Sequence, residues 1–417
     1  MPRWPRHGLS NLPSDMLRLA SRPRSILCLW DTHPVQYRAP LYSAFAGQTE
    51  GLVRVFYESD HSMHGYRDIQ FGRNIAWDLP LMDGYTSTIL PRLGNWPTSV
   101  LFLIRFTHAA QVFLRMEPSA CLVVHLDTAA TAAAYCAACL LGVPQWLRVE
   151  TQDQANERGT VKNMARSAVY RMLYACFARA FFIGELNRQH LLRHGFQSSQ
   201  LRPARYGVIA GVREWSAERK SAERLRLRHA LGIPAHALVV GFCGKLIPKK
   251  NPALLLEAHA QIESAVRRDC HLLFIGSGEL EGELRERARP LGGRAHFTGF
   301  INQVALPAYY LAMDVFVLPS WRQGETWGLV VNEALHAGCA VAMSEAVGCS
   351  ADFGSWERCR VFSPGGVAGC AAAVNELAAY PRDFEWCAGQ LATYSLEAAA
   401  RSLGEELRAL DCRALVI

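Results

Sequence analysis

The sequence predicts an α/β protein built from two doubly wound parallel-sheet domains that face each other across a cleft. Short apolar runs, typical of buried strands, alternate with longer helical patterns along the whole chain. A charged, Ser-rich passage at residues 213–228 separates two such series. The length of 417 residues is enough for two domains with substantial cores.

The first series of elements begins after a basic N-terminal stretch that contains no compact apolar segment. This stretch lacks the apolar centre of a secretory signal. We expect residues 1–24 to form a flexible arm. The predicted strands are 26–30, 53–57, 121–124, 145–149 and 180–183. Helices are predicted from residue 40, over 132–141 and over 161–178. Together these elements define a first domain at residues 25–205.

The second series repeats the alternation of strand and helix after a predicted linker at residues 206–235. The predicted strands are 238–243, 271–275, 295–298, 315–318 and 339–343. Helices are predicted over 253–260, 328–337 and 396–410. The second domain therefore covers residues 236–395, and a C-terminal helical segment occupies 396–417. In doubly wound folds ligands bind where the carboxyl ends of parallel strands meet, so the cleft is the expected site.

Charge and composition narrow the class of partner. The net charge of +7, with 50% hydrophobic and 19% charged residues, is that of an ordinary globular protein and suits an acidic substrate or an anionic membrane face. No zinc-finger spacing, basic helix or aromatic RNA-binding pattern occurs, so nucleic acid is not an expected partner. The helix at 161–178 combines basic and apolar residues and is a candidate for contact with anionic lipid, although a packed helix with a solvated basic face has the same pattern.

The cysteines indicate the cellular compartment. Thirteen is an odd number, and Cys28, Cys121, Cys243, Cys339 and Cys370 have apolar neighbours, which is typical of buried, reduced thiols. The CxxC at 136–139 lies in a predicted helix without a second Cys or His pair, so it is not expected to bind metal. The longest apolar run, 129–143, is too short to span a bilayer. We therefore expect a cytoplasmic protein, with peripheral contact at the inner membrane face left open.

The most informative stretch is residues 319–338, in which two carboxylates flank the start of a helix. Glu325 lies in the loop after a buried strand, and Glu333 lies one turn into the next helix. The backbone N–H groups of Trp327, Gly328 and Leu329 would open that helix and suit a diphosphate. Glu333 could accept hydrogen bonds from ribose hydroxyls, and Glu325 could meet a sugar hydroxyl. This arrangement suits a nucleotide-sugar.

The segment Glu325-Thr-Trp-Gly-Leu-Val-Val-Asn-Glu-Ala334 resembles the motif of the retaining glycosyltransferases of family 4, which have the two-domain GT-B fold. The resemblance covers nearly the whole chain and is most specific from residue 239 to residue 353. It implies transfer of a sugar from a nucleotide-sugar with retention, in synthesis of cell-surface polysaccharide or lipopolysaccharide. It also implies that the last helix packs back toward the first domain.

Two lysines are the predicted cations for the diphosphate. Gly244-Lys-Leu-Ile-Pro-Lys-Lys-Asn-Pro252 follows a strand and resembles the family's Gly-Arg-Leu…Lys-Gly element. Lys250 takes the usual Lys position, and Lys245 stands where Arg is usual and so lacks the bidentate geometry of Arg. Ammonium groups here would neutralise the leaving group without a metal. The chain has no Asp-x-Asp, which also favours metal-free catalysis with no cofactor other than the donor.

Further donor contacts are predicted at two strand ends of the second domain. Gly276 lies in a Gly-Ser-Gly turn after the strand at 271–275, where family members have a similar Gly-x-Gly. Phe300 and Ile301 resemble the segment that lies against the base. A tight connection without ligand contact would have the same pattern at Gly276.

The first domain supplies the predicted acceptor contacts and one further catalytic candidate. His33, Gln36 and Tyr37 belong to a His-Pro-x-Gln-Tyr loop that resembles the variant of polysaccharide-type members, where the commoner version has a Gly pair. His125 matches the first of a His pair found in many relatives and is a catalytic candidate, whereas Asp127 occupies the second position. Glu150, at the next strand end, could bind acceptor hydroxyls.

The sequence thus predicts a metal-independent hexosyltransferase with a glycan or lipid-linked acceptor. Two alternatives stay open. A nucleotide-sugar 2-epimerase of the same fold would need no acceptor, and a non-catalytic nucleotide-sugar-binding partner would lack turnover. Product analysis with donor alone separates the first of these from a transferase.

Overall fold

The computed structural model describes residues 26–414 except 50, 64, 69, 71, 92–97, 156–158 and 210; of Arg73, Thr98 and residues 411–414 it describes the backbone only. The predicted basic arm, residues 1–24, lies outside the described residues.

The first domain is organised around a seven-stranded parallel sheet with strand order β5-β2-β1-β6-β7-β8-β9. A short antiparallel hairpin, β3–β4, stands apart from that sheet. The strands are β1 (Leu27–Asp31), β2 (Val53–Tyr57), β3 (Tyr66–Asp68), β4 (Arg73–Ile75), β5 (Thr86–Ile89), β6 (Ala120–Val123), β7 (Gln145–Leu147), β8 (Phe177–Phe182) and β9 (Leu201–Pro203). The helices are α1 (Ala39–Gln48), α2 (Thr98–Met116), α3 (Ala129–Leu141), α4 (Thr160–Tyr174) and α5 (Glu185–Arg193).

Both faces of this sheet are covered, which explains its uniformly apolar central strands. In β1 the side chains alternate between two core clusters, with Cys28 and Trp30 in one and Leu27 and Leu29 in the other. Successive side chains of a strand point to opposite faces, so a doubly covered strand must be apolar throughout. Helices α2 and α3 cover the first face, and α1 covers the second.

The second domain has a six-stranded parallel sheet with strand order β12-β11-β10-β13-β14-β15. Its strands are β10 (Leu238–Cys243), β11 (Cys270–Ile275), β12 (Ala295–Phe297), β13 (Val315–Leu318), β14 (Ala340–Ser344) and β15 (Cys359–Phe362). The helices that follow α5 are α6 (Ala217–Ala230), α7 (Ala253–Gln261), α8 (Ser264–Arg267), α9 (Glu281–Ala288), α10 (Leu306–Leu311), α11 (Leu329–His336), α12 (Ser350–Phe353), α13 (Val367–Ala378), α14 (Ala388–Leu391) and α15 (Leu396–Ala414).

The predicted central strands occur where expected, and the differences lie at edges and ends. The helix predicted over 161–178 was too long: α4 ends at Tyr174 because Phe177 already begins β8. The strand predicted over 145–149 ends at Leu147. The edge strands β5, β9 and β15 and the β3–β4 hairpin were missed, because short edge strands with mixed polarity give no clear apolar run.

Two segments near the predicted boundaries pack in particular ways. Helix α6 lies inside the predicted linker 206–235, and its Leu227 is buried in the core of the second domain. Helix α15 crosses back to the first domain, where Leu403 and Leu407 are buried in the same cluster as Leu41 of α1. Within the described residues, no helix has both the length and the apolar content to cross a membrane.

Hydrogen bonds join the two domains and the linker between them. The amide of Asn332 on α11 donates to the carbonyl of Tyr206, the first residue of the predicted linker, at 3.0 Å. The backbone N–H of Glu185, at the start of α5, donates to Asp352 Oδ2 at 3.0 Å. Asn302 donates to the carbonyl of Ala76 at 2.8 Å. The carboxyl ends of both sheets are therefore held facing one cleft.

Candidate active site

The second domain presents its candidate site at the carboxyl ends of β10, β11 and β13. Helix α11 begins at Leu329, directly after Gly328, whose φ of 102° lies in the left-handed region. A Cβ at Gly328 would lie 2.7 Å from Val347 Cγ1, so space as well as backbone angle requires glycine here. The turn aims the start of α11 into the cleft.

Glu325 is held in its charged form by partners from two loops. Lys250, at the end of the turn Pro248–Lys250, forms an ion pair with Glu325 Oε2, and Ser320 Oγ donates to the same oxygen at 3.0 Å. Burial alone would raise the pKa of Glu325, but the Lys250 charge and these hydrogen bonds lower it below the usual value. The result is a buried, ionised carboxylate paired with one lysine.

Glu333 has the opposite electrostatic setting. Its burial raises the pKa of the carboxyl group to about 7, and the hydrogen bond donated by Tyr310 at 2.7 Å offsets only part of that rise. No cation lies among its hydrogen-bond partners in the described part of the chain. Two glutamates eight positions apart are thus prepared differently: Glu325 is ionised, and Glu333 is half-protonated near neutral pH.

Lys245 bridges the two domains. Its Nζ lies 2.9 Å from Asp68 Oδ2 at the end of β3 and 2.9 Å from Gln70 Oε1. The cation at the end of β10 therefore already meets an anion from the first domain. Asp68 and Gln70 escaped the sequence prediction, because the hairpin that carries them left no recognisable strand pattern.

The loops after β10 and β11 pass each other at close range. Gly276, with φ of 128°, lies so near Gly244 that a Cβ there would be 1.9 Å from the Gly244 carbonyl oxygen. Any side chain at this position would push the two loops apart. Gly276 is therefore required for the close approach of the two loops that follow β10 and β11.

A cavity of about 530 Å³ occupies the cleft between the domains. The predicted site residues that line it are His33, Gln36, Tyr37, Gly244, Lys245, Lys250, Gly276, Phe300, Ile301, Leu329 and Glu333. The loop after β4 closes one side, where the rings of Trp77 and Phe300 are 6.4 Å apart. This volume is in the range of small-ligand sites.

Trp327 does not line this cavity with its side chain. The indole is 3% exposed and donates from Nε1 to Asn332 Oδ1 at 2.8 Å. Its ring packs among aromatic residues, with centroids 5.8 Å from Tyr206 and 5.7 Å from Phe353. The side chain thus anchors the Glu325 loop in the core, and only the backbone of Trp327 is left for a ligand.

The other first-domain candidates line a separate cavity of about 410 Å³. His125, Asp127 and Glu150 contribute to it from strand ends, and Thr326 contributes from the second domain. Its remaining wall includes Arg166, Tyr170, Leu173 and Tyr174 of α4. Thr326 adjoins Glu325 in the sequence, so the Glu325 loop reaches this second cavity. The predicted acceptor residues are therefore divided, with His33, Gln36 and Tyr37 on the first cavity.

A buried polar network fixes His125. Arg38 is 3% exposed, lies 2.9 Å from Asp31 Oδ2 and donates from Nη1 to His125 Nε2 at 2.8 Å. Glu150 Oε1 lies 3.5 Å from the same Arg38 nitrogen. Burial and the Arg38 charge lower the pKa of His125. Since Nε2 accepts from Arg38, the imidazole is neutral with its proton on Nδ1. The sequence signal for this network was only an Asp and an Arg flanking the His-Pro loop.

The chain resembles proteins that transfer sugars. Residues 237–379 match the family model of the glycosyl transferases group 1. The 2-deoxystreptamine glucosyltransferase of Streptomyces kanamyceticus is 28% identical over 304 residues, which cover 70% of this chain and 78% of that protein. The phosphatidyl-myo-inositol mannosyltransferase of Mycolicibacterium smegmatis is 34% identical over 115 residues, which cover 27% of this chain and only 29% of that enzyme's length.

Solved structures share the architecture over nearly the whole chain. HepE of Anabaena, in complex with UDP and glucose, matches with a TM-score of 0.63 and 14% identity, covering 94% of this chain and 98% of that one. The α,α-trehalose 6-phosphate synthase of Burkholderia multivorans matches with a TM-score of 0.67 and 15% identity, again covering 94% and 98%. The two-domain arrangement described above is therefore the GT-B fold.

Proposed function

We propose that the chain is a group 1 glycosyltransferase that transfers a sugar from a nucleotide-sugar to a glycan or lipid-linked acceptor, with retention of configuration. The observation that carries this proposal is the pairing of Glu325 with Lys250 beside a cavity lined by Glu333. We place the reaction in cell-surface polysaccharide or lipopolysaccharide-type synthesis.

The second domain would bind the donor. Its diphosphate would lie at the start of α11, with Lys250 and Lys245 as the cations, Glu333 on the ribose and Phe300 and Ile301 beside the base. Glu325 would orient the sugar through a hydroxyl. Lys245 would exchange Asp68 for phosphate on donor binding, since one ammonium now serves both Asp68 and Gln70.

The proposed step needs no metal and no further cofactor. The acceptor oxygen forms a bond to the anomeric carbon on the face from which the diphosphate leaves, and the bond from that carbon to the diphosphate breaks. The acceptor's hydroxyl proton departs with the diphosphate. Charge grows on the leaving oxygen during this step, so the two lysines stabilise the transition state more than the bound donor.

UDP-glucose is the first donor to test. HepE has been crystallised with UDP-glucose, and the Streptomyces relative is a glucosyltransferase. The cavity supports a donor of this size, and its lining supplies both aromatic and cationic groups. A panel that includes GDP-, ADP- and dTDP-linked sugars identifies the base.

The cavity formed with α4 favours an acceptor held at a membrane surface. Helix α4 exposes Val161, Met164 and Met172, and its sequence has basic residues but no acidic one. The same helix lines the second cavity with Arg166 and Tyr170. A face of apolar and basic groups suits an anionic bilayer. We infer that the acceptor is lipid-linked and approaches along α4.

A vesicle experiment tests this membrane contact. The full chain should sediment with vesicles that contain anionic lipid and not with purely zwitterionic ones. The double variant Met164→Glu, Met172→Glu should lose sedimentation and keep transfer to a soluble acceptor analogue. Equal sedimentation of variant and wild type would exclude α4 as the contact.

Turnover with the identified donor tests the transfer itself. We expect a glycosylated product only when donor and acceptor are both present, and strong loss of it in Glu325→Gln. The matched control is Glu376→Gln, which should retain activity. Glu376 is an exposed carboxylate on α13 that pairs with Arg360 of β15. An altered sugar formed from donor alone would favour the 2-epimerase, and donor binding without any product would favour a non-catalytic binding protein.

A further inference from the structure

Three side chains outside the proposed catalytic machinery converge at the C-terminal end of α5. They are Asp153, in the loop after β7, and His190 and His194, which lie one helical turn apart. One ligand atom from each lies within 4.8 Å of the other two. We propose that Asp153, His190 and His194 bind a divalent transition-metal ion, with zinc as the expected occupant.

The donor atoms point toward one another. Asp153 Oδ1 lies 2.8 Å from His190 Nδ1 and 3.3 Å from His194 Nε2. Zinc binds imidazole nitrogen and carboxylate oxygen at about 2.0–2.2 Å, so its ligands lie roughly 3–3.5 Å apart in a tetrahedral site. The three atoms need only small side-chain adjustments to surround an ion. Two imidazoles favour zinc over magnesium or calcium, which prefer all-oxygen sites.

The outward-facing atoms of the three side chains already have partners. His190 Nε2 lies 3.1 Å from Tyr174 OH, and His194 Nδ1 lies 3.2 Å from Ser167 Oγ. Arg193 donates to Asp153 Oδ2 at 3.0 Å. Hydrogen bonds of this kind orient the ligands of protein metal sites and fix the tautomer of each histidine. Each histidine thus keeps one nitrogen for Asp153 or an ion and uses the other for a hydroxyl group.

Burial and position indicate a structural role for the ion. The side chain of His190 is fully buried, that of His194 is 5% exposed and that of Asp153 is 23% exposed, so the carboxylate is the solvent-facing side. None of the three residues lines either cleft cavity. Three protein ligands leave a fourth position, which water can fill.

The ion would fix a loop that contacts the second domain. In the loop of Asp153, the Ala155 carbonyl accepts a hydrogen bond from the Gly324 N–H at 2.8 Å, and Gln152 donates to the carbonyl of Glu325 at 3.5 Å. Binding at Asp153 would therefore join α5 to the backbone that carries Glu325. An effect of the ion on turnover, through the backbone that carries Glu325, rests on the proposed function. Metal binding itself does not depend on that function.

Zinc titration of the full chain, freed of metal by chelation and dialysis, tests the proposal without an activity assay. We expect one zinc ion per chain by calorimetry and a rise in Tm of roughly 5 °C at saturation. Asp153→Asn and His194→Ala should remove both effects. His229→Ala, an exposed histidine on α6, should behave as wild type. Tyr174→Phe keeps all three ligands and should weaken zinc binding about 10- to 100-fold.

Cobalt substitution distinguishes this site from the exposed cysteines 136, 139 and 176. A histidine–carboxylate site gives visible d–d bands without the near-ultraviolet band of a thiolate ligand. A thiolate band, or zinc binding that persists in Asp153→Asn and His194→Ala, would overturn the proposal, as would the absence of any zinc-dependent change in Tm. Should those two variants fail to fold, unchanged zinc affinity in Tyr174→Phe would overturn it.

Discussion

At the scale of single residues, the site separates its two glutamates electrostatically. Glu325 meets Lys250 and Ser320, whereas Glu333 meets only the neutral Tyr310 among its hydrogen-bond partners in the described chain. The pKa of the Glu325 carboxyl group is therefore lowered, whereas the Glu333 carboxyl group ionises near neutral pH. A buried carboxyl group without a cation is ready to gain hydrogen bonds from hydroxyl groups of a ligand, and it releases its proton when it does so.

Donor binding should depend on the ionisation of Glu333. With a pKa of about 7, the carboxylate is mostly protonated at pH 6 and mostly ionised at pH 8, so the affinity for UDP-glucose should fall about tenfold from pH 8 to pH 6. Calorimetry in buffers of different ionisation enthalpy should also show proton release on binding. Glu333→Ala should weaken binding by roughly 1.5–3 kcal/mol.

The control for this prediction is Glu333→Gln, which should bind with little pH dependence over the same range. His33, whose pKa is lowered to about 4, does not titrate there. In the absence of donor, protonation of Glu333 contributes to the free energy of unfolding. This contribution is fully present below about pH 4.5 and is lost as the pH rises through about 7. A pH-independent affinity in the wild type would remove Glu333 from the ribose site.

Lys250→Ala should lower turnover more than donor affinity. In the proposed mechanism the ammonium group would face charge that grows as the diphosphate leaves, so we expect kcat to fall roughly 100-fold and the donor Kd to change less than tenfold. Arg289→Ala, an exposed cation of the same domain, should change neither quantity. Equal losses in kcat and affinity would indicate uniform binding of donor and transition state instead.

At the scale of elements, two loops and a hairpin help to build the larger cleft cavity. The turns after β10 and β11 pass within touching distance at Gly276, and the β3–β4 hairpin brings Asp68 to Lys245 across the cleft. Neither arrangement depends on an apolar pattern. Backbone proximity and one ion pair therefore fix the position of the Lys245 loop against the β11 loop and the hairpin.

A pair of glycine substitutions tests this account of the loops. Gly276→Ala should lower Tm and weaken donor binding, because the new Cβ meets the Gly244 carbonyl and the backbone has positive φ. Gly282→Ala, inside α9 with nothing near the added Cβ, should stabilise the protein by about 0.5–1 kcal/mol. Equal behaviour of the two variants would show that the loops separate without cost.

At the scale of the whole molecule, three lysines from the second domain line the larger cleft cavity. These are Lys245, Lys249 and Lys250, and the sequence contains no Asp-x-Asp. Hydrogen bonds at Asp352 and at Asn302 join the two domains. Helix α15 adds a third connection by packing in the core of the first domain.

Turnover should not require magnesium or manganese. We expect kcat to be unchanged by either ion after EDTA treatment, because in the proposed mechanism the lysines would provide the positive charge at the diphosphate. The assay is best run in parallel on Asp153→Asn, in which the proposed zinc site is absent. Loss of activity in both proteins that magnesium or manganese restores would contradict the lysine clamp; a loss that only zinc restores, and only in the wild type, would concern the separate site.

The sequence by itself determined the alternation of strands and helices, the central strands of both sheets and the position of Glu325 and Glu333 around the start of α11. Doubly covered parallel strands must be apolar throughout, and a helix that follows such a strand has a recognisable period, so both are local signals. Only the tertiary structure decided that Lys245 meets Asp68, that Tyr310 reaches Glu333 and that Asp153 joins His190 and His194. Lys245 and Asp68 lie 177 residues apart in the sequence, and Tyr310 and Glu333 lie 23 apart. Asp153 lies 37 residues from His190 and 41 from His194. No local pattern records such distances, because polar side chains at strand ends and in loops are brought together by the packing of whole sheets and helices.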